Sequence, residues 1–171
     1  PHFLYNTLDS IVWLAENERP AEVITTVVAL ARLFRLSISR GHTFIPVRDE
    51  IAHIGYYLTI QSIRYVDRFT YSIDVDENLL DLPVMKLVLQ PVVENAIQHG
   101  LGDERGHIGI HGTTDGDCMV FSVTNTGYGI TEAKIGRASC RERVKISVGA
   151  VSVKKNKHNQ NRHDGSEQTT T

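Results

Sequence analysis

Three short patterns in this sequence carry residues with chemical uses. In LVLQPVVENAIQHG, Leu87–Gly100, Asn95 and His99 stand four residues apart on one helix face, with Glu94 beside them. An asparagine offers a neutral oxygen that coordinates a hard cation without cancelling its charge, which suits Mg²⁺ shared with phosphate groups, and a histidine one turn on can donate to a phosphate. In NTGYGI, Asn125–Ile130, Gly127 and Gly129 lie one residue apart just after an alternating stretch, where a backbone must take a positive φ or approach a flat ligand. The opening PHFLYNTLDSI puts His2, Asn6, Asp9 and Trp13 within about 60° of one another at 100° per residue. An exposed imidazole is largely neutral near pH 7 and can act as a nucleophile. Taken singly each pattern is common, because a G-x-G is most often a turn and polar residues on a helix most often meet only solvent.

Elements must hold these residues in place. The first 65 residues read as helices. From Leu4, the positions Leu4, Leu8, Ile11, Val12 and Ala15 recur at helical spacing and predict an inward stripe, with His2 on the opposite side. A second helix is predicted from about Pro20 to Ser39, with Val23, Val27, Leu30, Leu33 and Phe34 inward and Gly41 ending it. A third covers about Val47–Tyr65, with Ile51, Ile54, Leu58, Ile60, Tyr56 and Tyr57 as its apolar residues. Helical hairpins of this kind often complete their core by pairing with a second copy.

After Arg64 the period changes. Phe69, Tyr71, Ile73 and Val75 alternate with polar residues, as in a half-buried strand. Pro83 is predicted to open a helix that runs to about His99 and stops at Gly100. Gly106–Gly112 and Asp117–Thr124 alternate again around Asp115-Gly116-Asp117 and predict a hairpin. Strand, helix and hairpin begin an α+β layer that stops before a compact sheet is complete.

The charge is divided along the chain. Residues 1–134 hold 10 Lys and Arg against 17 Asp and Glu, a net −7, whereas residues 135–171 hold 8 against 3, a net +5, and no aromatic residue follows Tyr128. Residues 154–171, KKNKHNQNRHDGSEQTTT, have no apolar side chain with which to offset the entropy of ordering, so disorder is expected there. The preceding IGRASCRERV, Ile135–Val144, is the translation of ATC GGA AGA GCG TCG TGT AGG GAA AGA GTG, a string that resembles a common high-throughput sequencing adapter read on its reverse strand. With two base changes the likeness continues to Ser152. Residues 134–171 are therefore expected to be a non-native, disordered tail, set apart from fold reasoning as expression scars are.

Setting the tail aside removes the basic patch that nucleic acid would need, since the remaining −7 repels phosphates. It also removes Cys140 and leaves Cys118 alone, with neither a disulfide framework nor a CxxC pair. His107, His111 and Cys118 make a poor zinc set, because His107 and His111 flank inward Ile108 and Ile110 and so belong to an outer sheet face. No apolar run is long enough to cross a membrane, and the start carries no basic leader of a signal peptide.

Together and in this order, PHFLYNTL, LQPVVENAIQHG and the NTGYGI box resemble the sensor histidine kinases of the LytS/YesM type. Gln61, Arg64 and Phe69, in IQSIRYVDRF, resemble that family's hinge. The resemblance covers residues 1 to about 133. It implies a helical phosphoacceptor and dimerisation region, residues 1–65, followed by the N-terminal part of a GHKL ATP-binding domain, residues 66–133, an incomplete Bergerat-type α/β sandwich. It implies that His2 is the autophosphorylated histidine, that Asn95 binds Mg²⁺ on ATP, that His99 lies near the phosphates, and that Gly127 and Gly129 shape the adenine pocket. The family begins its glycine box with an aspartate that accepts from the adenine amino group, and here Asn125 stands there. Its carbonyl can accept that bond without charge assistance, at a loss of roughly 1 kcal/mol.

The partners implied are a response-regulator receiver domain, whose aspartate takes the phosphoryl group, and a second copy of the chain. The setting implied for the intact parent is the cytoplasmic face of the bacterial membrane. The family's lid and last sheet strands are replaced by the adapter-like block, so this chain is expected to be inactive on its own and to leave a sheet edge open to aggregation. Two other readings are a non-catalytic helical dimerisation module with a degenerate nucleotide-binding fold, favoured by Asn125, and a different GHKL ATPase, which gives no reason for PHFLYNTL.

Overall fold

A computed structural model describes residues 2–38, 43–66, 68–99, 101, 105–126 and 144–150, with only the backbone given at residues 99, 145 and 147–150. Its elements run α1 His2–Glu16, α2 Pro20–Ser37, β1 Phe44–Pro46, α3 Val47–Arg64, β2 Phe69–Val75, a 3₁₀ turn Glu77–Leu79, β3 Pro83–Met85, α4 Gln90–His99, β4 Gly106–Asp115, β5 Cys118–Asn125 and β6 Val144–Ala150. This is the expected α+β class. Helices α1 and α2 pack on α3, and α3 and α4 pack on one face of a four-stranded sheet of order β2-β4-β5-β6.

The sheet follows from alternation. Phe69, Ile108, Ile110, Phe121 and Val123 point to the helices and are buried, while His111 on the other face is exposed. β2 and β4 are parallel, and the crossover this requires contains α4. β4 and β5 are antiparallel, with Asp115 opposite Cys118. The tight turn between them places Gly116 at φ +59°, a conformation that glycine adopts without a Cβ clash. His107 and His111 lie on the outer face, as the alternation predicts. The His107 ring is held between the hydroxyls of Thr70 at 2.8 Å and Ser72 at 2.9 Å.

Four expectations need correction. In α1, Leu4 and Ile11 of the predicted stripe pack against the core, but the fully buried residues are Thr7 and Leu14, Phe3 lies near Tyr57 at a ring separation of 5.2 Å, and Leu8 and Val12 are exposed. A threonine can lie inside because its hydroxyl bonds to the Phe3 carbonyl at 2.8 Å, so polarity alone misplaced the stripe. In α2, likewise, Thr26 is buried and bonded to the Glu22 carbonyl, Val27 is outside, and the helix stops at Ser37.

Pro83 does not open a helix. Pro83–Met85 is a strand that pairs antiparallel with β1, Ile45 opposite Val84, and α4 begins only at Gln90, with Pro91 in its first turn. Proline fits strand β3 because its register partner is another proline, Pro46, and neither residue has an N–H to donate. Lastly, Val144–Ala150 is not a disordered tail but a strand parallel to β5, with Val144 and Ile146 packed against the core. Val144, Ile146 and Val148 alternate with Lys145 and Ser147, a period-two pattern that suits an open strand edge whatever its coding origin. The β5 edge expected to be open is thus covered. The remainder of 134–171 lies outside the described residues.

Candidate functional site

His2 is exposed at the start of α1, and the Asn6 side-chain amide lies 2.9 Å from its Nδ1. Asn6, Asp9 and Trp13, of the face predicted to carry His2, line with Ser10 an open groove of about 470 Å³ closed on its other side by Ile63, Arg64 and Val66. The His2 face therefore looks along the junction between α1 and the end of α3. The hinge residues hold that end. Gln61 is buried and donates to the Tyr57 hydroxyl at 2.8 Å, the Arg64 guanidinium lies 5.0 Å from the Tyr65 ring, and Phe69 is in the core.

The second group of candidates sits on α4 and β5. Val93, Ala96 and Ile97 are buried and fix α4 on the sheet, leaving Glu94 and Asn95 half-buried at the edge of that contact. Gln90 donates to Glu94 Oε1 at 2.7 Å. Asn125, the last residue of β5, pairs in register with Ile108 and so points inward, toward the layer that holds α4, and is only 1% exposed. The fold thus brings the Asn95 helix against the strand that ends in Asn125. His99 is on α4, but its side chain is outside the described residues, as are Gly127 and Gly129.

Three polar residues were not singled out by sequence as buried: Glu50, His53 and Gln61, at 1%, 2% and 5% exposure. The signal was present in α3, where Glu50, His53, Ile54, Tyr57, Leu58 and Gln61 follow one helical face. Glu50 accepts from the backbone N–H of Leu87 at 2.9 Å and of Leu89 at 3.0 Å. Burial holds its carboxyl above the ordinary range against the lowering effect of those donors. His53 Nε2 lies 3.0 Å from the Ser37 hydroxyl. Burial, and secondly the Lys86 ammonium, keep this imidazole below its ordinary value. Burial also pushes the Tyr57 phenol up.

A pH dependence follows from His53. Below the ordinary histidine value of 6.5 the unfolded chain binds a proton that the folded chain refuses, so stability is lost as pH falls through that window, by at most about 1.4 kcal/mol per pH unit. Urea unfolding between pH 7.5 and 5.5 is expected to show this slope in the unsubstituted protein and a shallower one in His53→Gln. Equal slopes would refute the assignment. The raised Glu50 acts in the opposite sense, favouring the protonated fold above 4.5, and is common to both proteins.

Comparison with known proteins places these residues in context. Residues 1–69 match the family model described as histidine kinase. The sensor histidine kinase YesM of Bacillus subtilis (strain 168) is 33% identical over 159 residues, covering 87% of this chain and 28% of that protein, and the match extends beyond residue 134. An uncharacterized sensor-like histidine kinase of Staphylococcus epidermidis is 35% identical over 104 residues, 61% of this chain and 20% of its own length. The sensor protein kinase HptS of Staphylococcus aureus is 30% identical over 135 residues, 79% of this chain and 26% of its own. The chain thus spans between a fifth and a little over a quarter of the length of these relatives.

Proposed function

Because the chain belongs to the sensor histidine kinases of the LytS/YesM type, we propose that it carries the phosphoacceptor region and the first part of the ATP-binding domain of such a kinase. In this reading residues 1–65 present His2 and pair with a second copy, and residues 66–133 belong to a GHKL domain that binds Mg²⁺-ATP. His2 attacks the γ-phosphorus through a ring nitrogen, the bond to the bridging oxygen breaks, and ADP leaves with the electron pair. The phosphoryl group then passes to an aspartate of a response regulator. Asn6 engages Nδ1 and orients the ring. When bound, Mg²⁺ would offset the charge developing on the phosphates. Asn95 is the residue to hold it, His99 to meet the phosphates, Asn125 to accept from the adenine amino group, and Gly127 and Gly129 to shape the adenine pocket.

The observation that carries this reading is the placement of half-buried Asn95 on the helix packed against β5, with Asn125 buried at the end of that strand. Pairing with a second copy is supported by apolar side chains left exposed on both N-terminal helices: Tyr5, Leu8 and Val12 on α1, and Ile24, Val27 and Val28 on α2. No described helix is long and apolar enough to cross a membrane, so attachment of the intact kinase to the cytoplasmic face of the bacterial membrane is assigned to other parts of the parent. For the 171-residue chain alone we propose no kinase activity, on the adapter-like sequence of Ile135–Val144.

The test uses a chimera in which the Bacillus subtilis relative supplies the sequence after Thr126. It is expected to bind Mg²⁺-ATP in calorimetry, and Asn95→Ala is expected to weaken binding by about tenfold or more, the loss of one bond to a charged group. Absence of binding would instead favour a non-catalytic helical dimerisation module with a degenerate nucleotide fold, the reading that Asn125 supports.

A further inference from the structure

Leu87 adopts φ +62°, a left-handed conformation that a branched side chain rarely takes. Such a residue persists only where its surroundings hold it. Here the hold comes from the other half of the molecule. Glu50, on α3, turns its buried carboxylate under the loop between β3 and α4, and its two oxygens accept the N–H of Leu87 and the N–H of Leu89. Leu89 is the residue whose carbonyl opens α4, accepting from Val92 at 3.1 Å and Val93 at 3.0 Å. Glu50 therefore grips both the strained residue and the first acceptor of the helix that bears Asn95.

A second contact reinforces the first. Lys86 Nζ donates to the carbonyl of Ser37 at the end of α2, and the Ser37 hydroxyl meets His53, one turn along α3 from Glu50. The two helical elements next to α1 thus both reach the loop that precedes α4.

We infer that Glu50 is a positioning residue for Asn95: by clamping Leu87 and Leu89 from α3 it sets where α4 starts and how it is oriented on the sheet. The inference rests on the nucleotide reading of α4 for its functional consequence, though not for its geometry. A glutamine in place of Glu50 keeps the shape but turns an amide N–H₂ toward a backbone N–H, so one of the two loop donors loses its acceptor.

The experiment is NMR hydrogen exchange on the 171-residue chain and its Glu50→Gln variant, with the Asn95 side-chain amide signals compared between the two. The expected result is exchange at Leu87 and Leu89 faster by about tenfold, the effect of one lost bond, with protection in β4 and β5 unchanged and the Asn95 signals displaced. Glu50→Asp, too short to reach both donors, should fall between the two. Unchanged exchange at Leu87 and Leu89, or acceleration there only in proportion to β5, overturns the inference, as does an Asn95 signal that does not move. Failure of the chimera to bind Mg²⁺-ATP counts against the nucleotide reading alone, and the exchange data then judge the clamp.

Discussion

His2→Gln in the chimera completed from the Bacillus subtilis relative is expected to reduce phosphate incorporation from ATP from about one group per chain to background. The effect is absolute because glutamine has no ring nitrogen to form the phosphorus–nitrogen bond. The described histidine side chains other than His2 are poor substitutes. His53 is 2% exposed. Both ring nitrogens of His107 are engaged by Thr70 and Ser72. His111 is exposed, but on the outer sheet face, away from the layer in which α4 and Asn125 meet. The product should be acid-labile and alkali-stable, as a phosphoramidate is and a phosphoserine is not. Acid-labile label that survives His2→Gln would assign the acceptor to another histidine. Asn6→Ala separates nucleophile from orientation, since it frees Nδ1 but leaves the ring in place. Slower incorporation at an unchanged KM for ATP is expected from it.

The parts of the molecule that were legible in the sequence are those where local pattern and burial agree. The alternation of Phe69, Tyr71, Ile73 and Val75 placed β2, and the Asp115-Gly116-Asp117 turn placed the β4–β5 hairpin, because in each case one face meets the helices and the other does not. The apolar face of α4 was legible for the same reason, Val93, Ala96 and Ile97 being buried with the proposed site residue Asn95 just off that face. What failed was any segment whose state depends on a distant partner. Pro83–Leu89 has an apolar composition that suits a helix, but β1 recruits its start and the Glu50 carboxylate holds its end in an extended and then left-handed path. Thr7 and Thr26 were left out of the predicted apolar stripes, whereas each satisfies its hydroxyl on its own helix and is buried. Val144–Ala150 was set aside on the origin of its codons, a criterion that says nothing about whether alternating apolar residues will pair with an open edge.

Phe121→Ala is expected to cost about 3–5 kcal/mol in urea unfolding, a large share of the total stability of a domain this size. The ring is fully buried on β5, and its neighbours across the two ladders are Gly112, which contributes no side chain, and Ile146. A Cβ at Gly112 would lie 2.9 Å from Phe121 Cε1 and 2.9 Å from Val75 Cγ1, so the aromatic ring already fills the space a larger residue would need. Truncation at 121 therefore opens a cavity that Gly112 cannot fill, at a cost within that range. The same geometry makes the cost of a second substitution depend on the first. Gly112→Ala in the unsubstituted protein forces the ring or Val75 to move and should destabilise by about 1–3 kcal/mol. In the Phe121→Ala background the contact with the ring is gone and only that with Val75 remains, so the penalty should shrink. The pair is thus expected to show a favourable coupling of about 1 kcal/mol or more in a double-mutant cycle. Additive effects would mean that Gly112 is dictated by its backbone, not by the ring it faces.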